Sequence, residues 1–416
     1  MSRVIALCFL LLAAVIGFLH IDSRPPWTPF AVNAAAPAEE ELDTLSIPKS
    51  KNQTVPSKVS IASPISTWLP ETGAASVHAA SLIALKDGTL RAFWFAGSRE
   101  GAADVVINSA VFDPKSVNWS APTVVIDRVS AEKGLARYIA KLGNPVPARM
   151  ADGRLQLFFV TVSIGGWAGS SISSIVSDDE GLTWNAPQRL ISSPLMNLST
   201  LVKSPAIAFA DGRLGLPAYH EWIGRFGEFL RIDAGQVIDK RRMSSGRSAI
   251  QPLVLVNNSQ DATAYFRQTR SAGQAKQVPI SQTQNAGQSW QAGTDLPIAN
   301  PNSAVTGLQL NSGARILVLN NIETGRYRLV LMMTDTKSGQ WQTIEVLEDD
   351  EALPDDQRKE FSYPYLISLD GNDAHLVYTW DRKKIRHRYF SGAWLRRAQS
   401  QLGAAPVDAN SQEAKQ

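Results

Sequence analysis

The feature that most constrains this chain is a turn followed by an apolar strand, which returns six times. It occurs at Asp87-Gly88, Asp152-Gly153, Asp211-Gly212, near Gln260-Asp261, at Ser312-Gly313 and at Asp370-Gly371. The intervals are about 50 to 65 residues, the size of one four-stranded propeller blade with its loops. An Asp-Gly pair suits a hairpin because its positive φ matches the twist of the flanking strands. Between the turns lie short β-branched and aromatic runs such as LRAFWFAG, LQLFFVTV, RILVLNN and HLVYTW, and no strong amphipathic helix. An open β-sandwich could not supply six similar units without exposed edges. The expected architecture is therefore all-β, a six-bladed β-propeller over residues 61–398.

A second repeat falls between these turns. Residues 177–184, Ser-Asp-Asp-Glu-Gly-Leu-Thr-Trp, fit the S-x-D-x-G-x-T-W pattern known as an Asp box, and 283–290, Thr-Gln-Asn-Ala-Gly-Gln-Ser-Trp, is a near copy. Weaker echoes end at Trp119 and Trp341. In such a box the Asp and Ser/Thr groups bond turn backbone, Gly takes the strained position and Trp packs into the blade. The boxes are structural and carry no chemistry.

At the N-terminus Arg3 precedes an apolar run from Val4 to Leu19, roughly 16 residues, between a signal-peptide core and a full membrane span in length. Segment 1–20 is expected to be a signal anchor, or a signal peptide cleaved near Ala34–Ala36. Either way the body is exported, to a periplasmic or extracellular position. Residues 21–60, rich in Pro, Ala and acids, read as a linker, and 399–416 as a disordered tail.

Composition narrows the chemistry. The net charge of +3 is too small for a nucleic-acid binder. The single cysteine, Cys8, lies in the apolar leader, which excludes a disulfide, a Cys nucleophile and a Cys-based zinc site in the folded body. The five histidines show no close metal-ligand spacing, so neither metal nor cofactor is expected.

In the order of its motifs, from about His78 to Phe390, the sequence resembles the sialidase/BNR-repeat family, which implies a propeller of the sialidase type. The resemblance places Arg99 and the acid/base Asp104 in Trp94–Asp104, a second arginine at Arg267, a third at Arg326 (with Arg328 as the register alternative) and the nucleophilic tyrosine at Tyr363. His78 stands where the family has its first carboxylate-binding arginine, and Gln251 where it has a glutamate base. Glu360, Glu221 and Glu228 are the candidates to replace that base. Lys203, His220, Asn144 and Asn302, with Lys141 and Asn300, are polar residues in apolar, loop-like settings that suit sugar hydroxyls. Trp94, Trp222 and Trp380 are possible stacking residues.

The implied activity is an exo-acting glycoside hydrolase that removes a terminal acidic sugar from an extracytoplasmic glycan. Its mechanism would be retaining, through a tyrosyl-sugar intermediate. Two alternatives stay open: a non-catalytic glycan-binding propeller in envelope polysaccharide assembly, and a uronate polysaccharide lyase. The expected partners are carbohydrate and, through the leader, a membrane.

Overall fold

A computed structural model of the protein describes residues 2–22, 26–32, 64–193, 197–271 and 273–402, with helix side chains described from 4 to 17. The expected linker beyond 32, the Ala34–Ala36 stretch and the tail beyond 402 lie outside the described residues.

Among the described residues six antiparallel sheets of four or five strands follow one another along the chain, with a small two-stranded sheet of Gln277–Val278 and Leu296–Ala299 beside them. Blade one is built on Ser76–Ala84, Leu90–Gly97 and Val106–Asp113, and blade two on Lys141–Arg149, Leu155–Val162 and Ser170–Ser177. Blade three uses Leu201–Val202 and Ile207–Ala208 as a broken innermost strand, then Leu214–His220, Phe226–Asp233 and Gln236–Arg242. Blade four has Ala249–Val256, Ala262–Gln268 and Ile280–Thr283, and blade five Thr306–Gln309, Arg315–Leu319, Arg328–Thr334 and Trp341–Asp349. Blade six has Phe361–Ile367, Ala374–Trp380 and Lys384–Phe390. Its outermost strand comes from the other end of the body, since Ile65–Trp68 pairs with Lys384–Phe390 in the register Ile65↔Tyr389 to Trp68↔Arg386. That pairing closes the ring and leaves no open edge between first and last blades.

The core is divided among the seams. Six clusters of buried residues each join neighbouring blades: Phe93 and Phe95 meet Leu142 and Phe159 between blades one and two, and Leu331 and Met333 meet Leu376 and Tyr378 between five and six. Strands buried on both faces read as continuous apolar runs, as Leu90–Gly97 and Leu155–Val162 do.

The repeated turn is a single device. Gly88, Gly153, Gly212 and Gly313 have φ of +84°, +86°, +80° and +83°. Each donates its N–H to the carbonyl three residues back, at Leu85, Met150, Phe209 and Leu310. Asp87, Asp152 and Asp211 accept the N–H two residues on, at Thr89, Arg154 and Arg213. In blade four, which lacks the glycine, Asn258 Oδ1 accepts from both Gln260 and Asp261.

The boxes behave as expected, with one refinement. Ser177 Oγ receives Gly181 N–H at 2.8 Å, and Asp179 Oδ1 receives Thr183 N–H at 2.8 Å. Thr283, Asn285, Gly287 and Ser289 repeat these bonds. The tryptophans, however, pack on the preceding blade: Trp184 against Phe93, Trp290 against Phe229, Trp341 against Tyr265, and Trp119 against His387. They are seam rivets as well as turn anchors.

Two boundaries differ from the sequence expectation. Within the supposed linker, residues 26–32 are docked: Trp27 and Phe30 are buried against Phe209 and Phe229, and Phe30 forms a β-bridge with Phe209. Apolar aromatics embedded in a Pro-rich stretch found a matching groove that local composition does not reveal. At the other end a helix, Gly392–Gln401, capped by Ser391, buries Leu395 against blades five and six. The N-terminal apolar run forms the helix Ser2–Asp22, with Val4, Ile5, Leu7, Phe9 and Leu10 among its exposed residues. Among the described residues no helix is long and apolar enough to cross a membrane.

Candidate active site at the propeller axis

Each innermost strand starts at the mouth and runs to the repeated turn, so its first residues ring the axis. In four blades the strand register slips there, between His78 and Ser81, Gly143 and Val146, Ile250 and Leu253, and Ser362 and Tyr365. The bulged residues Ala79, Asn144, Gln251 and Tyr363 have φ of 54°, 39°, 50° and 52°. A bulge re-aims a side chain, and non-glycine residues with left-handed backbone carry strain of order 1–2 kcal/mol. Proline follows three of them, as Pro145, Pro252 and Pro364. Proline has no N–H, and a bulge is where a strand can spare one. X-Pro at the head of an innermost strand is therefore a sequence signature of the axial residues. Blade five has the equivalent in Asn302, φ 66°, and blade three breaks its strand at Lys203-Ser204-Pro205.

The structure brings most of the expected residues together. Gln251 is the hub: its Nε2 donates to the phenol oxygens of Tyr363 at 3.3 Å and Tyr219 at 3.2 Å, while its Oε1 accepts from Arg267 Nη1 at 3.4 Å. Because the guanidinium can only donate, it fixes the amide with nitrogen toward the tyrosines. Asn144 Nδ2 adds a bond to Tyr219 at 3.4 Å, and Arg267 Nε donates to Asn302 Oδ1 at 2.6 Å. Both tyrosine oxygens thus accept, which leaves each O–H free to donate elsewhere. Burial pushes the Tyr219 phenol well above its usual range.

His78 lies with its ring centroid 4.3 Å from that of Tyr363. It is fully buried, both ring nitrogens lack a partner, and burial holds its pKa well below the ordinary value, so the ring is neutral. It cannot replace an arginine's charge. Lys203 reaches across the axis from blade three to blade six, where Nζ donates to the Pro364 carbonyl at 2.8 Å beside the rings of Tyr363 and Tyr365. Desolvation brings its pKa down to about 7.

A second cluster adjoins the first. Glu360 accepts from Arg326 at 3.1 Å, Ser362 at 2.6 Å and Arg382 at 3.0 Å, and Arg382 also pairs with Glu100. These partners overcome its burial and bring the Glu360 carboxyl down to about 2. A carboxylate so held is a clamp on two arginines and a poor proton acceptor, which corrects the role of base expected of it. Arg326 is in turn neutralised, so of the three expected arginines Arg267 is the one at the axis whose partners are uncharged. Arg328, the register alternative, pairs outward with Glu351 and Asp349. An open cleft of about 550 Å³ lies beside this cluster, lined by Arg326, Tyr327, Arg358, Lys359 and Glu360.

The remaining expectations divide. Arg99 and Asp104 sit on the mouth loop after Leu90–Gly97; both are exposed, and Asp104 caps its own turn by accepting from Ser98 N and Oγ at 2.9 and 3.0 Å. Glu221 is half-buried, and desolvation raises its carboxyl above the usual range against the pull of Arg267. Glu228 pairs with Lys240 on the flank of blade three. His220 stacks on Phe226 and accepts Ile223 N–H, which ties it into its loop. Asn300 caps the turn to Ser303. Trp94 is core, packed in the seam between blades six and one, and Trp380 lies against Phe361 and Trp68, whereas Trp222 is exposed at the mouth. Tyr219 and Arg382 were not anticipated. Tyr219 had a readable signal, since like Arg267 it lies near the mouth end of a second strand; Arg382 stands in the basic run Arg382–Arg388, where nothing local sets it apart.

The BNR repeat-like domain model matches residues 88–376. No curated protein matches the sequence. Among solved structures, a protein of unknown function from Dyadobacter fermentans superposes with TM-score 0.62 at 13% identity, over 78% of this chain and 97% of its own. The Hadza microbial sialidase Hz136 gives TM-score 0.61 at 13% identity, over 76% and 66% of the respective chains. The NanB sialidase of Streptococcus pneumoniae gives 0.60 at 13%, over 77% and 69%. The present chain thus spans just under two thirds of Hz136. At such identities the likeness concerns the fold.

Proposed function

The chain belongs to the BNR-repeat, sialidase-like propeller family, and from that premise we propose that it acts outside the cytoplasm as an exo-glycosidase on a terminal acidic sugar. The observation that carries this reading is the axial cluster in which Arg267, through Gln251, orients the phenol of Tyr363. Arg267 is hydrogen-bonded only to the uncharged Gln251 and Asn302 among the described residues, which leaves its positive charge to meet a sugar carboxylate. Tyr363 presents its oxygen to the adjacent anomeric carbon, where a neutral nucleophile avoids repulsion from that carboxylate. The C–O bond to the leaving group breaks as the Tyr363–carbon bond forms, Asp104 protonates the departing oxygen, and water then hydrolyses the tyrosyl glycoside. The phenol proton needs an acceptor other than an amide, and Glu221, with its raised carboxyl pKa, is the group on that side suited to proton transfer. The apolar helix holds the protein at a membrane.

One observation favours a second reading. Gln251 donates to Tyr363 where a base would accept, which suits a glycan-binding site without turnover. A glycan array probed with the full chain in detergent, followed by product analysis of whatever binds, separates the two. Release of a reducing acidic sugar that Tyr363→Phe abolishes supports hydrolysis. Binding without product supports the second reading, and an unsaturated product would indicate elimination instead.

A further inference from the structure

The segment 26–32 carries an inference about how the protein sits in its surroundings, and it rests on the membrane reading above. We propose that the chain keeps its N-terminal helix, and that this docked segment turns the repeated-turn face of the propeller toward a lipid surface so that the mouth opens away from it.

The segment is built into the propeller. Phe30 N–H donates to the Ser259 carbonyl, Ala31 N–H to Ala208, and Ala210 N–H to Pro29, with lengths of 2.8 to 2.9 Å. The Trp27 indole donates to Asp239 at 3.0 Å, and its ring lies under the Arg231 guanidinium and against Gly287 of the blade-four box. Thr28 accepts from Arg231 at 2.7 Å. Cleavage at Ala34–Ala36 would remove Trp27 and Phe30. It would strip partners from three backbone groups and from the buried Arg231, and leave Phe209 and Phe229 facing an empty groove. Buried polar groups are satisfied in native proteins, so the docked segment is part of the folded body.

Its position sets an orientation. Phe209, Ser259 and Asp211 belong to the repeated turns of blades three and four, at the far end of the innermost strands from Gln251 and Tyr363. A strand of eight residues separates the two faces by about 26 Å. Asp22, the last residue of the helix, is five residues from Trp27, a reach of at most about 18 Å. Over residues 4–17 the helix is apolar on all sides and largely exposed, which suits contact with lipid and not with water. Its attachment therefore lies near the turn face. A substrate entering the mouth approaches from the side away from that lipid: a glycan terminus projecting toward the mouth, not a head group of the supporting membrane.

The test uses the full chain with Cys8→Ser and one fluorophore, at Gln260→Cys on the turn face or Ile223→Cys at the mouth, bound to phosphatidylcholine/phosphatidylglycerol vesicles with nitroxide-labelled head groups. Quenching is expected to be at least threefold stronger for the Gln260 label, and a Trp27→Ala/Phe30→Ala variant should lose the difference while remaining bound. Equal or reversed quenching on bound vesicles overturns the orientation but spares the membrane reading. Failure to bind vesicles, or a mature N-terminus beyond Ala36, overturns both.

Discussion

At the turn end of the propeller Gly88, Gly153, Gly212 and Gly313 share φ values between 80° and 86° and the same hydrogen bonds, whereas the bulged positions at the mouth hold Ala79, Asn144, Gln251 and Tyr363. The two ends are built from the same strands. At one end every blade faces the same demand, to reverse direction without losing backbone hydrogen bonds, and four of the six meet it with the same glycine turn. At the other end no demand common to all blades applies, and each contributes something different. Repetition marks what the fold needs. Its breakdown marks where function is placed.

That contrast can be broken most severely at Tyr363. Under the hydrolytic reading Tyr363→Phe should lower kcat by about 10³-fold or more, a loss of about 4 kcal/mol in transition-state stabilisation, with thermal stability unchanged. A variant that unfolds would mean that the mouth residues also hold the ring.

Acid should attack the ring closure next. His387 on Lys384–Phe390 is buried beside His375, with Asp373 and Tyr389 against that ring, and it reaches Thr67 of the closing strand at 3.4 Å. Burial first, and then His375, bring its pKa down to about 3. The unfolded chain takes up a proton near pH 6.5 that the folded one refuses until about 3. Stability is therefore full above 6.5 and falls as pH drops, by about 1.4 kcal/mol per unit. Unfolding free energies from denaturant titrations between pH 7 and 4 should show at least this slope, and His387→Phe should reduce it, leaving the share of the buried, neutral His78. An unchanged slope would mean that closure does not depend on the neutral imidazole.

Lys203 should show the opposite balance between stability and use. Its pKa of about 7 is depressed by burial, so below pH 7 the folded state carries a charge it would rather lose. Lys203→Met should stabilise the protein at pH 6 on the order of 3 kcal/mol, less whatever the Pro364 hydrogen bond contributes. The gain should shrink as pH rises toward 10, and ligand binding should weaken throughout. A variant destabilised at every pH would make Lys203 a structural strut.

The smallest effect is expected at a single turn anchor. Thr283→Ala removes the hydroxyl that receives Gly287 N–H and should cost about 1 kcal/mol in chemical unfolding, with no change in ligand affinity. A change in affinity would show that the outer boxes and the mouth are coupled.

The blade repeat, the two good boxes and their tryptophans were readable in the sequence because they are local: Asp, Gly and Ser/Thr act on backbone within a few residues. The axial residues were readable in part, since Arg267, Tyr363, Gln251 and Asn302 stand at recurrent places in their blades. Their partners were not. Nothing along the chain links Arg382 to Glu100, 282 positions away, or Lys203 to the Pro364 carbonyl, 161 away.

The sequence by itself determined a closed ring of six blades and the strand ends from which a site would be assembled, because hydrophobic pattern and turn chemistry act over short distances. Only the tertiary structure decided the state of each group. It neutralised Arg326 with Glu360, made Gln251 a donor to Tyr363, gave Arg267 the uncharged hydrogen-bond partners Gln251 and Asn302, and laid Trp27 and Phe30 across the far face. Charge, burial and hydrogen-bond direction depend on which groups meet in space, and those meetings are made when the ring closes.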